Sequence, residues 1–193
     1  MSHVSPSRSE SHLMHLFSYG SLINRTSAEN VLKRPLTRED LIPALLHGFQ
    51  RCWSAREDLY FEGLGRRASG IFLDLLPAPG SQLNGVVIQI SPEELGRLKL
   101  REKNYDCLDI AQSLQEPLPS AEIFTFVCRA EHRVRPGEPD AFIPQRYIDM
   151  VRSGCLAIGP EFLRHYDATT EPAPFPVLPG GYRFLDPIQA LHV

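Results

Sequence analysis

Residues 84–105 read NGVVIQISPEELGRLKLREKNY, and this stretch sets the architecture. Asn84-Gly85-Val86-Val87-Ile88-Gln89-Ile90 is continuous in β-branched residues, the pattern of a strand covered on both faces and therefore central in a sheet. Ser91-Pro92-Glu93-Glu94 then opens a helix. Ser91 can cap it, Pro92 is preset for the first turn, and Glu94 can reach back to complete a capping box. Leu95 and Leu98 lie three apart and face the core. The helix is expected to end near Arg101-Glu102.

Upstream, the apolar run Leu13 to Tyr19 predicts a buried strand that Gly20-Ser21 breaks. Thr26-Ser27-Ala28-Glu29 has capping-box spacing and predicts a short helix to about Arg34. Ala44 to Trp53 reads as a strand, with Gly48 marking a bulge. Gly70 to Leu76 reads as another, ended by Pro77-Ala78-Pro79-Gly80. Downstream, Tyr105 to Ile110 alternates like a half-buried strand, and Ile123 to Cys128 is the last strong one. Gln145 to Ser153 is helical, with Tyr147, Ile148 and Val151 on one face and Gly154 weakening its end. Gly159-Pro160 separates it from a second helix at about Glu161 to Tyr166.

Residues 1–12 are polar and predict a disordered tail. From Glu171 to Gly181 the chain reads EPAPFPVLPGG, and residues 171–193 are expected to form a proline-rich strap on the same domain. The strap either covers a pocket or builds a homodimer contact. No repeat or linker divides residues 13–170, so the pattern is one α+β domain, a run of strands with interspersed short helices.

The 193 residues can bury a core without disulfide or metal. A net charge of -3 gives no electrostatic reason to expect nucleic acid. The densest basic cluster is only Arg66-Arg67. Cys52, Cys107, Cys128 and Cys155 stand far apart with no CxxC pair, which predicts reduced, non-catalytic core thiols and no zinc site. The polar N-terminus lacks a signal peptide's apolar stretch, and no apolar run reaches the ~18 residues that span a bilayer. A cytoplasmic protein with no membrane, metal or cofactor is the expectation.

Two segments could carry chemistry. Tyr19-Gly20-Ser21-Leu22 follows a strand and turns at glycine, which presents successive backbone N–H groups that can hold an anion or a developing oxyanion. Glu102 lies in Leu100-Arg101-Glu102-Lys103-Asn104-Tyr105. By itself it reads as an ordinary charge at a helix end. Ser21 as a nucleophile would need a histidine base. His15, His47, His132 and His165 sit in no recognisable motif, and Gly20-Ser21-Leu22 is not a G-x-S-x-G elbow. His3, His12 and His15 lack supporting acids for a metal.

Taken in order, these segments resemble the γ-glutamylcyclotransferase family. Tyr19-Gly20-Ser21-Leu22 looks like its substrate loop, and His47-Gly48-Phe49-Gln50-Arg51 like its second strand. Gly85 to Ile90, Ser91 to Leu98 and Arg101-Glu102-x-x-Tyr105 are similar to its strand, helix and catalytic glutamate. Tyr147 and Gly154 look like its late helix. The resemblance spans about residues 14 to 168. It implies a small mixed five-stranded barrel-like sheet with flanking short helices and a pocket roofed by Tyr19, Gly20, Ser21 and Leu22. It also implies Glu102 as general acid/base and Tyr147 on the pocket wall. The implied reaction converts a small γ-glutamyl peptide or amide to 5-oxoproline and a free amine, without cofactor or metal. A non-catalytic binding module of the same fold and an enzyme specialised for γ-glutamylamines are the alternatives. The family's glutathione-specific branch carries Arg-Gly-Thr after its second strand, where this chain reads Gly63-Leu64-Gly65-Arg66-Arg67. That departure speaks against glutathione itself.

Overall fold

The computed structural model describes residues 13–116 and 121–190. The expected tail at 1–12 and residues 191–193 of the strap lie outside the described residues. In chain order the elements are β1 (Leu13–Ser18), α1 (Arg25–Leu32), β2 (Ile42–Phe61), β3 (Arg66–Ile90), α2 (Pro92–Arg101), β4 (Tyr105–Asp109), β5 (Ala121–Cys128), β6 (Ala141–Pro144), α3 (Gln145–Ile158), α4 (Pro160–Ala168), β7 (Val177–Leu178), β8 (Tyr182–Phe184) and α5 (Pro187–Ala190).

The sheet runs β4-β5-β1-β3-β2-β8, with β6 paired to β3 and β7 to β6. Five strands, β1 to β5, are the principal ones. Three short strands extend the expected five. β1 lies antiparallel to β3, with Leu16 opposite Ile88, and parallel to β5, with Leu16 opposite Phe124. Isolated bridges join Leu46 to Leu114 and Ala55 to Arg133. They tie β2 to the segments flanking β5, so the sheet curls back on itself. Leu16, Phe17, Leu46, Leu59, Ile71, Leu75, Val86 and Ile88 fill the interior, each contributing roughly 1.5–3 kcal/mol by leaving water.

Pro77-Ala78-Pro79-Gly80 does not end a strand; β3 continues through it. His47 pairs with Gln82 and Phe49 with Pro77. Gly48 alone therefore faces the four residues Ala78 to Ser81. Gly48 and Gly80 both take positive φ, at 80° and 86°. This wide bulge accommodates prolines that cannot donate to a ladder.

Helix α2 carries the expected capping box. Ser91 accepts from the Glu94 N–H at 3.1 Å, and Glu94 accepts from the Ser91 N–H at 2.7 Å. Helix α1 is capped differently from expectation. Asn24, not Thr26, accepts from the Ser27 N–H at 3.1 Å, and Glu29 instead accepts from the Leu36 N–H. Helix α3 runs on through Gly154 to Ile158. The glycine is there for packing, since a Cβ would stand 2.7 Å from the backbone of Asn24. Part of the C-terminal segment joins the sheet. β8 pairs with the end of β2, Leu59 opposite Phe184. The four cysteines are free, and burial pushes the thiols of Cys52, Cys128 and Cys155 up to about 11, 12 and 12. Among the described residues, no helix is long and apolar enough to cross a membrane.

Candidate active site

The turn after β1 is held from both sides. The Tyr19 hydroxyl donates to the Phe126 carbonyl at 2.7 Å. Its carbonyl accepts from Nε of Arg51 at 2.9 Å. Arg51 is fully buried, with no carboxylate partner among the described residues. It also donates to the Asn84 carbonyl and to Thr170 Oγ1, and it lies over the Tyr166 ring. A buried guanidinium needs such acceptors to offset its desolvation. The chain then makes a single 3-10 turn over Ser21–Ile23. The N–H groups of Ile23 and Asn24 donate to Gly20 and Ser21. Those of Ser21 and Leu22 donate to no backbone acceptor among the described residues. Gly20 is required by proximity, because a Cβ there would stand 2.9 Å from the hydroxyl of Tyr147.

Glu102 closes the C-terminal end of α2. Its N–H donates to Leu98 and its carbonyl accepts from the Tyr105 N–H at 2.9 Å. The side chain forms an ion pair with Arg101, and both are mostly buried, at 17% and 14% exposure.

A cavity of about 330 Å³ lies between these segments, lined by Tyr19, Gly20, Ser21, Leu22, Glu102 and Tyr147. The residues singled out from sequence are thus brought around one space. No cysteine or histidine lines it among the described residues, so Ser21 has no histidine base there. The volume suits a small organic ligand.

The cavity has further walls that the sequence reading did not identify. Tyr182, Phe184 and Gln189 line it from the C-terminal segment, and Arg146 from α3. Phe184 stacks on Phe72 with ring centroids 5.5 Å apart, and Phe72 meets Tyr147 edge to face at 4.8 Å. Glu57 of β2 also lines it and is only 6% exposed. One of its oxygens accepts from Asn104 Nδ2 at 3.0 Å. The other has no hydrogen-bond partner among the described residues. Gln189 lies near enough to lower its pKa in part but not in hydrogen-bond geometry with that oxygen. Burial, helped by the nearby charge of Glu102, pushes the Glu57 carboxyl up to about 7. The signal was readable. Ala55, Glu57, Leu59 and Phe61 alternate on the buried face of β2, but the sequence reading ended that strand at Trp53.

No protein-family model matches the sequence, and no curated protein matches it significantly. Solved structures do match in shape. A γ-glutamyl cyclotransferase superposes with a TM-score of 0.55 at 15% identity, over 83% of this chain and 89% of that one. A yeast γ-glutamyl cyclotransferase described as specific to glutathione gives 0.51 at 16% identity, over 83% and 98%. YkqA from Bacillus subtilis gives 0.52 at 18% identity, over 83% of this chain; the chain spans 56% of YkqA's length. At these identities the likeness establishes the fold.

Proposed function

From a chain that has the γ-glutamylcyclotransferase-like fold, we propose an enzyme that converts a small γ-glutamyl peptide or amide to 5-oxoproline and a free amine, with Glu102 as general acid/base. One observation carries this reading. A carboxylate and a turn with two unengaged N–H groups border the same small cavity. An α-ammonium has a pKa near 8 and is mostly protonated at neutral pH. Glu102 takes a proton from it. The freed amine then attacks its own γ-carbonyl. Because attack is intramolecular, a cavity that holds the substrate folded supplies much of the rate. The N–H groups of Ser21 and Leu22 face the oxyanion that develops. Gly20 keeps that backbone close to the ligand, and Tyr19 and Tyr147 shape the wall.

The test is an assay of 5-oxoproline release by the purified protein across γ-glutamyl dipeptides, γ-glutamylamines and glutathione. Turnover of at least one of the first two classes is expected. Release from none of them would end the reading.

A further inference from the structure

The proposed reaction needs two proton transfers of opposite sense. The attacking nitrogen must lose protons, and the departing nitrogen must gain one. A single carboxylate can serve both in turn, but this cavity holds two carboxyl groups in unlike surroundings. Glu102 is ion-paired to Arg101. Glu57 is buried more deeply and lines the same cavity; among the described residues it pairs with no cation, and one of its oxygens is buried without a hydrogen-bond partner. Among the described residues its hydrogen-bond donor is the neutral amide of Asn104.

We propose that Glu57 is the general acid of this site, donating its proton to the departing amine nitrogen, while Glu102 accepts the proton of the attacking ammonium. The proposal rests on the γ-glutamyl reading above. Two carboxyls at one cavity, one paired to a cation and the other buried without one among the described residues, are the arrangement that acid–base division needs. The raised pKa of Glu57, about 7, agrees with a group that still carries a proton near neutrality. The ionisable groups around it are Glu102 and Lys103 at the end of α2, Tyr105 of β4 and Cys128 of β5. Lys103 is itself paired to Asp186, and the exposed end of that pair is too screened to strip Glu57 of its proton.

The protons balance. Glu102 removes one from the ammonium, and the freed amine forms the C–N bond to the γ-carbon, whose oxygen becomes the oxyanion. As the oxyanion re-forms the carbonyl, the original C–N bond breaks and the departing nitrogen takes the Glu57 proton. The ring nitrogen then gives its second proton to the Glu57 carboxylate, which restores it. Glu102 returns its proton to solvent.

Two substrates separate this role from a structural one. The amine leaving from γ-glutamyl-n-propylamide must be protonated as it departs. The p-nitroaniline leaving from γ-glutamyl-p-nitroanilide is stable enough to depart with little help. Glu57→Gln keeps an oxygen for Asn104 and removes the proton. The variant is expected to lose about 10²-fold or more in kcat on the propylamide and less than about 5-fold on the anilide. In the parent, kcat on the propylamide should fall as pH rises through about 7, and that limb should vanish on the anilide. Equal losses on both substrates, including those from a misfolded variant, overturn the proposal, as does no loss on either. A parent protein that releases 5-oxoproline from neither amide overturns this proposal, and one that also turns over no γ-glutamyl dipeptide overturns the γ-glutamyl reading with it. Equal losses overturn this one alone.

Discussion

The hydroxyl of Tyr147 stands 2.9 Å from where a Cβ on Gly20 would lie. The two residues are 127 positions apart, and the contact sets how closely the loop after β1 approaches helix α3. That separation is tighter than a methyl group tolerates. Gly20→Ala must therefore displace either the loop or the tyrosine. The expected result is a fall in kcat/KM on the order of 10-fold or more, since sub-ångström misplacement of a positioning group is costly. Adding Tyr147→Phe removes the obstructing oxygen and should recover part of that loss. A cycle of the four proteins measures the coupling. Simple additivity would show that the contact does not govern the loop.

Glu102→Gln should lower kcat by ~10²–10⁴-fold while KM changes little. The ion pair to Arg101 is mostly buried, but glutamine keeps an oxygen that can accept from the guanidinium, so the loss of stability should be on the order of 1 kcal/mol. Release of 5-oxoproline at the parent rate, with unfolding unchanged, would reduce Glu102 to a surface charge.

Helix α3 crosses Asn24 at Gly154. In a free helix, Gly→Ala gains close to ~1 kcal/mol. Here the added methyl meets backbone atoms at 2.7 Å, and backbone cannot swing aside as a side chain can. The clash is expected to win, for a net loss of roughly 1–3 kcal/mol. Urea unfolding of Gly154→Ala reads this directly. A more stable variant would mean that the helix and the loop are not in firm contact.

Glu57 makes stability depend on pH. Its carboxyl titrates near 7 when folded, against about 4.5 when exposed. Below the lower value both states are protonated. As pH rises between the two, the unfolded chain loses its proton first, so the folded state loses ground. Above about 7 the penalty is constant. The difference in unfolding free energy between parent and Glu57→Gln should therefore shift by about 3 kcal/mol against the parent from pH 4.5 to 7. A pH-independent difference would place this carboxyl in water.

Sequence patterns captured features whose causes are local. Ser91, Pro92 and Glu94 start α2 through contacts within one turn, so their spacing sufficed. The stop read at Pro77 to Gly80 failed because it depends on β2. Only the facing Gly48, at positive φ, lets the ladder resume beyond the prolines. Gly154 looked like a helix breaker for the same reason, its cause being Asn24, far away in sequence. Glu57 escaped notice because the strand carrying it was ended eight residues short, at Trp53 rather than Phe61. Tyr182 and Phe184, two apart, are a strand signal that the surrounding prolines masked. Glu102 and Tyr19 to Leu22 stood out only through their joint order along the chain, since neither is distinctive alone.

The pairing of β1 has a consequence for how the molecule is made. Its partners are residues 86–90 on one side and 121–124 on the other. A strand near the start of the chain thus waits for neighbours that lie some 70 to 110 residues further along. Contacts of such sequence separation slow folding, because chain closure comes before any reward. The loop that follows β1 should take shape late, together with the barrel as a whole. The hydrogen-bonded N–H groups of Ile23 and Asn24 in that loop should exchange with solvent only when the entire sheet opens, giving slow, globally governed hydrogen exchange in a segment that would otherwise look like an ordinary surface turn.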